Sequence, residues 1–402
     1  MLEWFDFAVY GYFASDIGRH FFPQSSPVAQ QLLAFAVFAL GFGARPVGSL
    51  VLGAVGDRIG RRALLTLSIA LMGGATLLIG LLPAYAQIGV AAPVLLVTLR
   101  VVQGFSLGGE FTGSMVYTTE QASPRWRGLI SSSTAAGTTL GFILGSASAW
   151  LVNVSLGAER ASAWGWRIPF IASIGLCLLG WLVRRGVHES TEGLKAAEAR
   201  PPLLPSLLAD WRPMVQTFGI VATTNAAYYL TFTYAVERRK NLTGEGGEVF
   251  LLANTASLFV VLLAKPLGGW LSDLVGRRRL MFVLTVATMS LVYTALQAML
   301  YGSPATFISG QLLMAVPLGM ALGMQGAMLV EIFPLRTRVT SMSLAYSITL
   351  ALAGGTAPLV AAWLIDSLDE PLAPAYYIML HGMIALALIW PMSETNGRRL
   401  DD

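Results

Sequence analysis

Gly53-Ala54-Val55-Gly56-Asp57-Arg58-Ile59-Gly60-Arg61-Arg62 and Gly269-Trp270-Leu271-Ser272-Asp273-Leu274-Val275-Gly276-Arg277-Arg278 spell one pattern, G-x-x-x-D-x-x-G-R-R, once in each half of the chain. Each copy follows one long apolar run and precedes another. One charged loop would be an ordinary solvated turn. The same spacing at the matching place in both halves marks an internal duplication. The chemistry suits a latch. Gly60 and Gly276 allow a tight turn. Asp57 and Asp273 fall near a helix end, where a carboxylate accepts backbone N–H groups or pairs with an arginine. Gly53, Arg58, Arg61, Arg62, Arg277 and Arg278 complete the two copies.

Two further echoes extend the repeat outward. Ala44-Arg45-Pro46-Val47-Gly48 matches Ala264-Lys265-Pro266-Leu267-Gly268, and the path from there to the loop aspartate is about one helical turn shorter in the second half. Glu120 precedes Arg125 and Arg127 with the offsets by which Glu331 precedes Arg336 and Arg338. These two clusters belong with the loop motifs as parts of one gate.

Composition names the solvent. Of 402 residues, 55% are hydrophobic and 12% charged, and mean hydropathy is +0.65. Water-facing domains carry roughly twice that share of charge, about 25%. Lipid is therefore the outer solvent. Apolar runs bounded by Gly, Pro or charge predict twelve spans near 1–18, 28–53, 63–83, 93–120, 129–153, 168–184, 213–236, 248–270, 280–301, 305–331, 339–364 and 374–392. Gly137, Gly141 and Gly145, at i, i+4 and i+8, read as close helix contacts. The long polar stretch from Arg185 to Arg212, with Pro201, Pro202 and Pro205, divides six spans from six. The expected organisation is an all-α membrane protein of two pseudo-symmetric six-helix bundles. It comprises an N-terminal bundle 1–184, a linker 185–212, a C-terminal bundle 213–392 and a tail 393–402.

With both termini inside, seventeen Lys and Arg collect on the side of the doubled loops and six on the other. The run Glu237-Arg238-Arg239-Lys240 opposes the trend locally. That distribution predicts a multi-pass protein of a bacterial inner membrane, with the linker, tail and gate loops in the cytoplasm. The net charge of +4 is spread along the chain, which gives no footprint for nucleic acid. The single cysteine, Cys177, lies in an apolar run and reads as a packing residue. No cleavable signal peptide is visible. Met1 stands just before Glu3-Trp4-Phe5-Asp6, so the first span is expected to begin part-way through, and an in-frame extension upstream would complete it.

The doubled loop resembles the signature of the major facilitator superfamily. Glu3-Trp4-Phe5-Asp6-Phe7, Ala44-Arg45-Pro46, Arg100-Val101-Val102-Gln103-Gly104 leading to Gly108-Gly109-Glu110, and Trp164-Gly165-Trp166-Arg167-Ile168-Pro169-Phe170 resemble its metabolite:proton symporter branch. That branch holds proline/betaine, citrate, alpha-ketoglutarate and shikimate permeases. The resemblance covers nearly the whole chain. It implies a central cavity and alternating access driven by a proton gradient, with no cofactor and no metal. The partners it implies are a small solute, a proton and the bilayer, and the chain is expected to be monomeric. The Arg-x-x-Gln-Gly motif is associated in the superfamily with proton coupling.

Charges inside the spans carry the functional expectations, because a mid-span ionisable group costs about 2.5–3.5 kcal/mol on insertion scales. Glu3, Asp6, Tyr10 and Phe13 share one face of the first span, which should look into the bundle. Asp6, Glu3, Glu110 and Arg100 are the candidates for proton coupling. For Arg100 a static ion-pair brace between helices is the competing reading. Arg45, Lys265, Tyr10, Gln103, Asn225, Tyr228, Tyr229 and Trp4 are the candidates for substrate binding. The aromatic residues suit a quaternary ammonium, and Asn225-Ala226-Ala227-Tyr228-Tyr229 resembles the proline/betaine permeases. Lys265 stands where those permeases are expected to have glutamine, and it favours an anion. The two hints point to different substrates.

Taken together, these features predict a proton-coupled symporter importing a small carboxylate or zwitterion, such as proline/betaine or a di/tricarboxylate. A drug/proton antiporter of the same fold is the nearest alternative, but Ala136-Gly137-Thr138-Thr139 lacks the Gly-Pro pair of the antiporter signature. A non-transporting membrane sensor would need a signalling domain or a damaged gate motif. An enzyme is not expected. His20, His188 and His381 have no ligand spacing, and no H-E-x-x-H, G-x-S-x-G or phosphate-binding loop is present.

Overall fold

The computed structural model describes residues 1–59, 61–185, 203–243, 247–398 and 400, without side chains at 53, 54, 56–59, 61–65, 183–185, 203 and 204. Twelve spans run through these residues. In the first half they are Leu2–Tyr12 continued by Ala14–Phe21, Pro27–Gly43 continued by Arg45–Ile59, Arg61–Leu81, Ala91–Ser106 continued by Glu110–Glu120, Arg127–Arg160, and Arg167–Arg185. In the second half they are Trp211–Tyr229 continued to Thr243, Glu248–Val275, Arg277–Tyr301, Pro304–Ile332, Arg338–Thr349 continued to Leu368, and Ala373–Ile389. Seven helices are apolar and long enough by themselves to cross a bilayer. Among the rest, the first and seventh spans carry buried charge: Glu3 and Asp6 on the first, Glu237 on the seventh.

Local chemistry starts the helices where the sequence provides caps. Ser26 Oγ accepts from the Ala29 N–H with Pro27 in the first turn, and Ser303 Oγ does the same for Thr306 with Pro304. In-span hydroxyls return their protons to carbonyls one turn back, as Thr76 does to Met72 and Thr288 to Leu284. The exterior is a belt of exposed Leu, Ile and Val, with Leu263, Leu178 and Leu151 among the most exposed. Such a surface is stable only in lipid.

Glycine supplies the closest approaches, and it does so symmetrically. A Cβ on Gly48 of the second span would lie 2.0 Å from the Phe105 carbonyl oxygen, and one on Gly268 of the eighth would lie 2.2 Å from the Met320 carbonyl oxygen. The two matched pentapeptides therefore do matched work. Each lets its span press on the backbone of the span two further along, the fourth or the tenth. Of the three ridge glycines on the fifth span, Gly141 and Gly145 meet the backbone and side chains of the first span. Gly137, one turn beyond the level of Met1, has open space, so its expected close contact is not made.

Several boundaries differ from the expected ones, and the second and eighth spans run on to Ile59 and Val275. The fifth span runs to Arg160, past a non-helical Gly157. The seventh continues to Thr243, which puts Glu237 and Lys240 on a helix rather than in a loop. Within the stretch expected as linker, Leu203–Ala209 forms a short helix and the seventh span already begins at Trp211. Residues 186–202 of that stretch lie outside the described residues. The seventh and eleventh spans each carry a wide π turn, Leu230–Tyr234 and Leu350–Gly355. Such turns cluster at functional sites.

The two halves meet along two related seams, the fifth span against the eighth and the second against the eleventh.

Candidate substrate cavity and its two latches

At the end that carries the loop motif, Gly269 and Asp273 stand one turn apart on one face of the eighth span, and Arg277 opens the ninth. A Cβ on Gly269 would lie 2.4 Å from the Gly128 carbonyl oxygen, so glycine is what lets the eighth span touch the fifth across the seam. One turn on, Asp273 accepts the backbone N–H groups of Gly128 at 2.8 Å and Leu129 at 2.9 Å. A carboxylate there satisfies free donors at the N-terminus of the fifth span and complements its dipole. Arg277 then pairs with Asp273 at 2.6 Å and reaches Glu331 at 3.3 Å. Gly276, with φ +99, makes the turn between them.

The two Glu–Arg clusters cross the seam in opposite directions. Glu331 of the tenth span meets Arg127 of the fifth at 3.2 Å, and Arg338 of the eleventh meets Glu120 of the fourth at 2.6 Å. The tail joins them. Glu394 accepts from the Arg277 N–H, Thr395 donates to Glu331, and the carbonyls of Arg398 and Leu400 accept from Arg127 and Arg338. In the first copy of the motif, Gly60 and the side chains of Asp57, Arg58, Arg61 and Arg62 lie outside the described residues, as do the side-chain surroundings of Gly53.

The opposite end is shut by a latch that sequence reading missed. Lys240 Nζ sits 3.1 Å from Asp16 and 3.4 Å from Glu237, and the Ser15 N–H donates to Glu237 at 3.0 Å. Asn241 donates to the Ser15 hydroxyl at 2.7 Å. One turn deeper, Asn254 bridges the Tyr12 hydroxyl and Ser146. The signal was present in the basic run that opposed the charge asymmetry. That run is on the seventh span because it answers two carboxylates. Replacing Lys240 by Met should leave Glu237 without its cation and Asp16 with Arg19 alone. Each charged hydrogen bond is worth about 1.5–3 kcal/mol, so labelling of Asn254→Cys by an impermeant thiol reagent from that face should accelerate about tenfold or more.

Between the latches lies a cavity of about 30 Å³, enough for water but closed to larger solutes in this state. Four of the sequence's substrate-binding candidates, Trp4, Asn225, Tyr228 and Lys265, line it, together with Phe111, Phe142, Thr138, Gln325 and Tyr346, which sequence reasoning did not single out. The aromatic rings brace one another: Trp4 stands edge-on to Phe111 and Phe142 edge-on to Tyr228. Lys265 Nζ donates to the Ala135 carbonyl at 2.6 Å and to Thr138 at 2.9 Å. Gln325 donates to the Ile220 carbonyl and Thr224.

Beside this cavity the first half holds a buried charge cluster. Arg100 pairs with Asp6 at 2.7 Å, and Gln103 donates to Asp6 at 2.9 Å and to Thr76 at 2.8 Å. All four side chains are wholly buried. Arg100 lies over the rings of Tyr10 and Phe7, at 4.1 and 4.7 Å from their centroids. Tyr10 and Gln103 thus stand with the Asp6–Arg100 pair rather than on the cavity wall. Tyr229 packs edge-on against Phe38 and Phe42, one layer behind Tyr228.

Arg45 and Glu3 are in direct contact, and Arg45 also lies over the Trp4 ring at 5.6 Å, which ties it to the cavity edge. Glu110 is half-buried and within electrostatic reach of Arg45. Gly109, with φ +89, breaks the fourth span just before it. Glu110 therefore occupies a first helical turn, where a carboxylate is favoured.

Comparison with known proteins places the whole chain. Residues 1–200 match the family described as sugar (and other) transporter, and residues 243–398 match the major facilitator superfamily. The proline/betaine transporter of Salmonella typhimurium is 33% identical over 99% of this chain and 82% of its own length. The citrate-proton symporter of Klebsiella pneumoniae is 34% identical over 96% of this chain and 87% of its own. The solved structure of the proton:xylose symporter XylE bound to 6-bromo-6-deoxy-D-glucose superposes with a TM-score of 0.76. At 18% identity, it covers 100% of this chain and 96% of that one.

Proposed function

The chain belongs to the major facilitator superfamily, in its metabolite:proton symporter branch, and from that footing we propose that it imports a small carboxylate or zwitterionic solute together with a proton by alternating access. The observation that carries the reading is a polar and aromatic cavity enclosed between two separate latches, each built from side chains of both halves. Opening one latch while the other holds exposes the cavity to one side at a time.

In this reading residues 1–184 and 213–392 are the two rocking bundles. The linker, the tail and the motif latch face the cytoplasm of a bacterial inner membrane, and the chain works as a monomer. Asp6 is the main proton carrier. It is the only carboxylate beside Arg100 among the described residues, and taking up a proton removes the charge that Arg100 answers. Glu110, near Arg45 and less buried, is the second carrier, and the Glu3–Arg45 pair supports it. The proton gradient is the energy source, and no cofactor is invoked.

Uptake into proteoliposomes with an imposed pH gradient, offering proline, betaine, citrate and 2-oxoglutarate, tests the reading. Gradient-dependent accumulation that an uncoupler abolishes is the expected result. Equal uptake with and without the gradient would defeat proton coupling.

A further inference from the structure

Three cations lie within the spans at the level of the cavity, and the structure treats them unequally. Arg45 is in contact with Glu3, and Arg100 is paired with Asp6. Both pairs close within the first half. Lys265 is 1% exposed and has no carboxylate partner among the described residues. Its ammonium rests on two neutral oxygens, the Ala135 carbonyl and the Thr138 hydroxyl. Neutral acceptors repay only part of what burying an ammonium costs. Lys265 is therefore the cation with charge left to offer, and it lines the cavity beside Trp4, Asn225 and Tyr228.

Its contacts also cross the seam. Lys265 stands on the eighth span, and both of its acceptors stand on the fifth. Any anion that draws the ammonium into the cavity removes a link between the halves at mid-depth.

Granted the proton-symport reading above, we infer that the transported solute carries a single carboxylate, which Lys265 Nζ receives, on a compact body that lies against Trp4 and Tyr228. One available ammonium answers one negative charge. A tricarboxylate would bring further anionic groups into a space whose other two cations are already committed, and buried charge without a partner is strongly unfavourable. The ring faces accept an apolar body or a methylated ammonium alike. The arriving carboxylate replaces Ala135 and Thr138 as the partner of Lys265, so the same event that fills the site loosens the seam.

The test uses the full chain in proteoliposomes under a proton gradient. Betaine and proline supply one carboxylate, citrate supplies three, and choline supplies the onium without a carboxylate. The parent should accumulate a monocarboxylate and neither citrate nor choline. Lys265→Gln should raise the half-saturation concentration about 10- to 100-fold, the value of one charge-assisted contact. Lys265→Arg should recover part of that loss at equal membrane abundance, which separates lost charge from lost folding. Accumulation of citrate alone, or an unchanged half-saturation in Lys265→Gln, overturns the assignment and leaves the symport reading standing. No gradient-driven accumulation of any solute overturns both.

Discussion

Asp6→Asn is expected to abolish accumulation of substrate against a gradient while exchange of substrate across the membrane continues. One co-transported proton yields about 2.3 kcal/mol per 100 mV, a substrate ratio of a little under about fiftyfold. The variant should therefore fall from that ratio to about unity. The reason is local. Asp6 is wholly buried, held by Arg100 at 2.7 Å and by Gln103 at 2.9 Å, and its neighbours Thr76, Gln103 and Arg100 all belong to the first half. Rocking of one half against the other cannot swap these partners. It changes instead whether water reaches the cluster. Asn keeps the shape and accepts from Gln103 or Arg100, but it cannot take up and release a proton. Glu110→Gln should also lose accumulation, because Glu110 lies within electrostatic reach of Arg45, which is tied to the cavity wall through Trp4. Counterflow measured beside driven uptake separates the two possibilities. Driven accumulation by Asp6→Asn equal to that of the parent would remove Asp6 from the proton path, and loss of counterflow as well would make it a structural brace.

The second large effect is expected at Glu331. This buried carboxylate accepts from Arg127 across the seam, from Arg277 and from Thr395 of the tail. Glu331→Gln leaves the buried guanidinium of Arg127 without its carboxylate and that of Arg277 with Asp273 alone, and breaking a buried pair on one side costs about 3–5 kcal/mol. The cost is borne only by the state with the motif end closed, since opening lets water reach both arginines. The closed state should thus lose most of its population. In a Cys177→Ser background, a cysteine at Ser131, buried on the cavity wall, should react with an impermeant thiol reagent applied from the motif side at least about tenfold faster. An unchanged rate would mean that Glu331 does not hold the latch.

The duplication was legible because the motif and the pentapeptide before it are spelled with the same spacing in both halves, and the second copy serves a constraint that spacing alone can express. Gly269 and Asp273 must share a helix face, Arg277 must return to Asp273 across the turn at Gly276, and Gly48 and Gly268 must meet a backbone. Periodicity of that kind survives in a one-dimensional reading. Asp6, Arg100, Trp4 and Lys265 were legible for a different reason. Charge or a large polar ring in an apolar run demands a partner. Which partner could not be read. Asp6 finds Arg100 and Gln103 three spans away, and Glu120 finds Arg338 in the other half. Such pairings depend on which helices are neighbours. The same limit placed Tyr10 and Gln103 among substrate contacts, whereas they complete the Asp6 cluster. Gln325, Thr138 and Tyr346 went unnoticed because neutral polar residues in spans are common and usually bond their own helix. The opposite-face latch was hidden by helix length. With the seventh span ended at 236, Glu237 and Lys240 looked like loop charges, but they stand on its last turns, facing Asp16.

In the proposed cycle the cavity is served from one side at a time, by two latches that must both work. Cysteines at Ser15 and Asn241, whose side chains are hydrogen-bonded at 2.7 Å, allow one latch to be locked reversibly in a Cys177→Ser background. Transport should stop when the bridge is formed by oxidation and resume when it is reduced. Undiminished transport through the bridged protein would show that these halves need not part there, and the account would be wrong.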